Sequence, residues 1–86
     1  MFYTYLVECS DKTYYCGYTN NIENRIAAHN SGRGAKYTRG RGPVRLVFLE
    51  EYETKEEAMS REFHIKQLTR SQKEELINGP SNTVRG

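Results

Sequence analysis

Two tyrosines, an arginine, a histidine and one carboxylate stand at spacings that could bring their chemistries together. Tyr5 lies ten residues before Tyr15, which opens the run Tyr15-Cys16-Gly17; Arg25 follows Gly17 by eight residues and His29 follows Arg25 by four. Glu62 comes much later, on a predicted helix. These are the parts that metal-dependent phosphodiester hydrolysis needs. Phenols and an imidazole can handle a water and its proton, a guanidinium meets phosphate charge, and a carboxylate holds a cation.

Each residue also has a plainer use. At about 100° per residue, Ala58, Ile65 and Leu68 share one side of the helix, with Met59 and Phe63 flanking, and Glu62 falls inside that arc. A carboxylate on an apolar face is unfavourable unless it is paired or binds metal, so the alternative to a metal ligand is an ion pair with Arg25 or Lys66 at the sheet edge. Arg25 and His29 share a helix face beside Ile22 and Ile26, which aims them at that edge. His29 could hold a phosphate or relay a proton near neutral pH, or be a hydrogen-bonded histidine next to an ordinary surface arginine. Tyr5 and Tyr15 are either phenols converging on a phosphate or a water, or two core-edge aromatics. A phenol with a pKa near about 10 needs help from a cation or a metal to act as a base.

The elements that must position these residues can be read from periodicity and caps. Phe2 to Cys9 alternates and is rich in aromatic and β-branched residues, as a strand is; Ser10-Asp11-Lys12-Thr13 is a polar turn; Tyr14 to Tyr18 is a second strand. The two form a hairpin that places Tyr5 and Tyr15 close together. Gly17 interrupts the second strand, the mark of a bulge or of close approach by another backbone or a ligand. Asn20 or Asn21 caps a helix to about Ser31, ended by Gly32, with Ile22 and Ile26 as its buried stripe. Val44 to Tyr52 is a third strand with burial on both faces. Thr54 and Glu57 form a capping box for a helix over about Lys55 to Leu68, and Ser71 and Glu74 another for a short last helix that stops at Asn78-Gly79-Pro80. The expectation is an α/β (α+β) fold, a small, mostly antiparallel three-stranded sheet flanked by helices in the order β-β-α-β-α-α. Residues 1–79 make one domain and the polar tail 80–86 is expected to be disordered.

Between the first helix and the third strand runs a glycine-rich basic loop. Gly32, Gly34, Gly40 and Gly42 alternate with Arg33, Lys36, Tyr37, Thr38, Arg39 and Arg41, and no acid occurs from Arg33 to Arg45. Glycines let backbones approach, cations meet phosphates and Tyr37 could stack on a base, so nucleic-acid contact by Arg33, Lys36, Tyr37, Arg39 and Arg41 is favoured over a merely solvated loop. The net charge of +2 hides this basic lobe beside an acidic stretch, Glu50, Glu51, Glu53, Glu56 and Glu57. With 86 residues the chain supports one core, and its seven tyrosines suit both core edges and contact surfaces. No apolar run approaches membrane-spanning length and no signal peptide is seen, so a cytoplasmic protein without membrane contact is expected. Cys9 and Cys16 then read as free thiols, although hairpin pairing leaves a disulfide geometrically open. Two cysteines alone make no zinc site.

Taken in order, these residues resemble the GIY-YIG nuclease superfamily. Its first motif corresponds to Tyr3-Thr4-Tyr5 and its second to Tyr15-Cys16-Gly17, with Tyr3, Thr4 and Cys16 departing from the pattern. The spacing of Arg25 and His29 and the helix bearing Glu62 are similar too, so the likeness spans about residues 2 to 68. A subfamily of small, stand-alone, mostly uncharacterised bacterial proteins resembles the chain nearly end to end, including Asn30-Ser31-Gly32 and Tyr37-Thr38-Arg39. The resemblance implies an endonuclease acting on DNA rather than RNA, in repair or recombination. Glu62 would hold a single Mg²⁺ or Mn²⁺, Tyr5 would help activate water, Tyr15 would position it or the phosphate, and Arg25 would stabilise phosphate charge. His29 would assist, and Gly17 would let backbone or substrate pass close by. Members of the superfamily generally carry a second, DNA-gripping domain; none is expected within these 86 residues, so a monomer with weak structure-selective binding, or a protein partner that supplies targeting, is expected. The alternatives are a nucleic-acid-binding module that keeps the fold without cutting and, more remotely, a protein-interaction module using the acidic stretch.

Overall fold

The computed structural model describes residues 1–33 and 36–84, and for Lys36 its backbone alone. The elements are β1 (Phe2–Glu8), β2 (Tyr14–Thr19), α1 (Ile22–Asn30), β3 (Arg45–Tyr52), α2 (Lys55–Lys66) and α3 (Arg70–Ile77), with a 3-10 turn at Lys36–Thr38. This is the expected β-β-α-β-α-α order. The sheet runs β2-β1-β3, and both pairings are antiparallel.

Caps set the helix starts. Asn21, with extended backbone, accepts a hydrogen bond from the Asn24 amide at 3.1 Å and begins α1. Thr54 and Glu57 close the capping box expected for α2. For α3 the box is not Ser71 and Glu74 but Thr69 and Gln72: Thr69 Oγ1 accepts from Gln72 N at 3.2 Å and Gln72 Oε1 accepts from Thr69 N at 2.9 Å. The two pairs carry the same signature two residues apart, so the pattern alone cannot choose between them. The earlier start also ends α2 at Lys66 rather than Leu68 and leaves Leu68 as a core contact in the link.

Helices cover both faces of the sheet. Alternation along β1 sends Leu6 to one side, where it packs with Cys16, Val47, Phe48 and Ile65, and with Leu68, Leu76 and Ile77 of the α2–α3 layer. Tyr5 and Val7 face the other way, with Cys9 and Val44, against Ile22 and Ile26 of α1. Burying a side chain such as Phe48 or Ile65 contributes about 2–3 kcal/mol. The polar member of the central strand, Thr4, is satisfied by donating to the Ala58 carbonyl at 2.8 Å. The register shifts between Leu6 and Val7, whose partners are Phe48 and Leu46. The skipped Val47 is the bulged residue, which is why neighbours Val47 and Phe48 join one cluster. Cys9 and Cys16 are free and buried in different clusters, so the disulfide left open by the hairpin does not form.

The tail departs from expectation. Residues 80–84 are not loose: Asn82 is buried, its Oδ1 accepts from Leu49 N at 3.1 Å, and its Nδ2 donates to the Val47 and Ile77 carbonyls at 2.8 Å each. Thr83 N donates to Leu49 O at 3.1 Å. The outer edge of β3 would otherwise present unpaired amides and carbonyls, and a side-chain amide offers both a donor and an acceptor, as a neighbouring strand does. Arg85 and Gly86 lie outside the described residues. Two acids of the acidic stretch are used internally. Glu50 accepts from Arg61 Nε and from the Tyr52 hydroxyl, both at 2.7 Å, and Glu57 serves the α2 cap. No helix among the described residues is long and apolar enough to cross a membrane.

Candidate active site

The site begins at the pairing of Tyr5 with Gly17. In the β1–β2 register Tyr5 faces Gly17 and Val7 faces Tyr15, so the two tyrosines are diagonal neighbours on the α1 side. The phenol of Tyr5 lies across Gly17, where a Cβ would meet its Oη at 2.5 Å and its Cζ at 2.7 Å. The β1–β2 ladder runs through Gly17 unbroken. The glycine therefore marks neither a bulge nor a backbone approach but room for a side chain.

That room lets Tyr5 reach α1. Its Oη is 2.9 Å from His29 Nε2, and His29 Nδ1 is 2.8 Å from Thr38 Oγ1. His29 is 2% exposed and Thr38 1%. The expectation that His29 points to the sheet edge is thus corrected: it sits behind Tyr5 and does not line the pocket, because the 3-10 turn Lys36–Thr38 covers the last turn of α1. Burial, and then Arg25, hold the imidazole below its ordinary pKa, so it stays neutral near pH 7. Burial, and then Tyr15, push the Tyr5 phenol well above the ordinary range, with Arg25 pulling the other way. Burial, and then Glu62, raise Cys16 to about 12, which leaves it an inert thiol.

Tyr5, Tyr15, Gly17, Arg25 and Glu62 line one open pocket of about 380 Å³, joined by Lys55 and by Tyr18, Thr19 and Asn20 at the end of β2. Arg25 comes from the helix on one face of the sheet and Glu62 from a helix on the other. They meet around β2, an edge strand. Glu62 has a side chain 19% exposed, with Oε2 3.6 Å from Lys66 Nζ. The ion-pair alternative is therefore realised with Lys66 and not with Arg25. It is weak, because Lys66 is half exposed and such pairs contribute no more than about 1 kcal/mol. Among the described residues no three His, Cys, Asp or Glu side chains cluster as a metal cage. Glu62 is the carboxylate among the lining residues, a donor set that suits a hard cation taking one protein oxygen and completing its shell with water and phosphate.

The basic loop is fastened to the site. Tyr37 stacks on Tyr15 with centroids 5.8 Å apart, and Tyr15 in turn meets His29 edge-on at 5.4 Å. The Arg41 guanidinium lies 4.5 Å from the Tyr37 ring centre and forms an ion pair with Asp11 of the β1–β2 turn. Tyr37, expected to stack on a base, thus already has two protein partners, and Arg41 acts as a fastener of the loop. Arg33 Nε donates to Ser31 Oγ at 3.0 Å, and the exposed Arg39, like Arg33, is not among the residues lining the pocket. Gly34 and the side chain of Lys36 lie outside the described residues. Among the site residues that the sequence reading did not single out are Phe2, Tyr18, Thr19 and Asn20 on the pocket wall, Lys55, and Thr38 behind His29. Lys55 could have been found from its place seven residues before Glu62, two helical turns along one face. Thr38 carries no signal that ties it to His29.

Residues 1–75 match the model of the GIY-YIG catalytic domain. A UPF0213 protein of Clostridium perfringens is 59% identical over 94% of this chain and 87% of its own length. One of Halobacterium salinarum is 58% identical over 90% of this chain and all of its own length. The solution NMR structure of a UPF0213 protein from Bacillus halodurans is similar with a TM-score of 0.61 at 48% identity, covering 96% of this chain and 89% of that one.

Proposed function

The chain belongs to the GIY-YIG catalytic-domain family, and from that premise we propose that it is an endonuclease that hydrolyses phosphodiester bonds in DNA. The observation that carries this reading is the convergence of Tyr5, backed by His29, with Arg25 and Glu62, from three layers of the fold, on one open pocket.

The residues divide the work by position. A water held against Tyr5 Oη gives up its proton to that oxygen while Tyr5 passes its own proton to His29 Nε2, so no free phenolate forms. This suits a phenol whose ionisation is suppressed by burial beside an imidazole kept neutral. The relay uses the tautomer in which Nδ1 donates to Thr38 Oγ1, 2.8 Å away, and Nε2 is the acceptor. The hydroxide forms a bond to phosphorus as the P–O bond to the leaving oxygen breaks, and that oxygen takes a proton from solvent; His29, charged against burial and Arg25, returns its proton to Tyr5 Oη as that oxygen releases one to solvent, which resets the pair. Arg25, exposed at the pocket wall, meets the phosphate and its developing charge. Tyr15 positions water or phosphate, its ring held between His29 and Tyr37. Glu62 would hold Mg²⁺ or Mn²⁺, which when bound polarises the phosphate and offsets its charge. Lys55 adds positive charge to the rim.

The test is cleavage of labelled single-stranded, duplex and branched DNA, and of RNA, with Mg²⁺ or Mn²⁺ and with EDTA. Glu62→Ala should abolish cutting and leave melting temperature and nucleic-acid affinity nearly unchanged, because the pair with Lys66 contributes little. Binding without cutting on every substrate would replace this reading with a non-cleaving binding module. Unfolding of Glu62→Ala, with no effect of metal on the wild type, would make Glu62 structural.

A further inference from the structure

The largest exposed apolar side chains of α2 flank the pocket-lining Glu62 in the chain. Phe63 is 64% exposed and Met59 42%, four residues apart and hence adjacent on the helix. The helical neighbours of Phe63 at three and four residues are Met59, Ser60, Lys66 and Gln67, none of them acidic. Lys66 ties this ridge to the site: its Nζ is 3.6 Å from Glu62 Oε2 and 5.9 Å from the centre of the Tyr15 ring. Phe63 directly follows Glu62 and stands three residues, about one helical turn, before Lys66, so the aromatic ring, the ammonium and Tyr15 lie along one side of α2. The Phe63 ring meets His64 edge-on at 5.8 Å, a contact that steadies it without enclosing it.

An aromatic face beside an ammonium, next to groups that handle a phosphate, matches a nucleotide unit, with the base on the ring and its phosphate on the cation. A base paired inside a duplex cannot present its face to a protein ring. We propose that Phe63, with Met59 as its apolar support, stacks an unpaired base flanking the phosphate held at the pocket, while Lys66 contacts the strand's backbone. The substrate class is then a nucleic acid that is single-stranded or locally unpaired at the cut. This rests on the nuclease reading for the identity of the bound strand, but its readout is binding, not cleavage.

The experiment is equilibrium binding in EDTA, where no cutting occurs, of single-stranded and fully paired DNA, each with one fluorescent adenine analogue. Phe63→Ala is compared with Phe63→Trp and wild type. Because Phe63 is largely exposed, the alanine variant should keep its fold, checked by circular dichroism. Phe63→Ala should weaken single-strand binding about 5- to 100-fold and remove the stacking quench of the analogue, with duplex binding changed less than about twofold; Phe63→Trp should restore both. Equal loss on both substrates, or no loss on either, overturns the proposal. So does a wild type that sediments as a dimer while Phe63→Ala is a monomer, which would make the ridge a contact between copies of this chain. Failure of stacking with Glu62-dependent cleavage intact leaves the nuclease reading standing. Stacking without cleavage on any substrate removes that reading and keeps the ridge.

Discussion

Replacing Gly17 with alanine tests the arrangement at its tightest point. The new Cβ would lie 2.5 Å from Tyr5 Oη, 2.7 Å from Cζ and 3.1 Å from Cε2. Ordinary separation requires the phenol tip to retreat by about 1 Å. A flexible, exposed side chain could do so at little cost, but the Tyr5 ring is 1% exposed and its hydroxyl is held 2.9 Å from His29. The strain of overpacking a core site is about 1–3 kcal/mol, and breaking a buried hydrogen bond adds about 1 kcal/mol or more. The total of about 2–4 kcal/mol corresponds to a fall in melting temperature of about 10–25 °C for a domain of this size. The backbone at Gly17 is not left-handed, so the effect comes from the side-chain clash and not from φ. Thermal melts followed by circular dichroism measure it. Cleavage by the folded fraction should drop about 100-fold, as expected when a catalytic group moves by about 1 Å. Tyr5→Leu removes the ring that clashes, so the double variant should be less destabilised than the two single losses added together. A Gly17→Ala protein that melts within about 2 °C of wild type and still cuts would refute the packing of Tyr5 over Gly17 and the relay built on it.

Three further outcomes are expected. His29 is held below its ordinary pKa of 6.5 in the folded state, so the unfolded chain takes up its proton first as pH falls. The stability it contributes is complete above pH 6.5 and is lost as pH drops from there toward the lower folded value; melting temperature should decline over that window in wild type, and less steeply in His29→Asn. The cleavage rate should fall in the same direction, because a protonated His29 cannot accept from Tyr5, and a rate that rises on acidification would contradict the relay. Asn82→Ala removes four side-chain hydrogen bonds, to Leu49, Val47, Ile77 and Val84, and should lower stability by about 2–3 kcal/mol in urea unfolding, whereas a change under about 0.5 kcal/mol would mean that the tail does not seal the β3 edge.

The order of elements was legible in the chain because local signals announce it: alternation in β1, the Asn21 and Thr54 caps, and glycines after α1. The residues with chemical potential could be picked out as well. Glu62 stands out as a carboxylate in an apolar arc, and Arg25 and His29 share a helical face, since spacing on one element maps directly to a face. What spacing could not supply was the relation between elements. Only the tertiary structure put Arg25 and Glu62, from opposite layers, around one edge strand, and only it set His29 behind Tyr5 and under Thr38, not at the surface. Gly17 shows the same division. Its type could be read as a need for space, but what fills that space is a side chain from the neighbouring strand, fixed by register. The α3 cap, chosen between two equivalent boxes, and the Asn82 seal were likewise decided by packing. Two identical local signatures, or a lone polar residue in a polar tail, carry no local energy difference large enough to read, and the distinction arises only when the partners across the fold are in place.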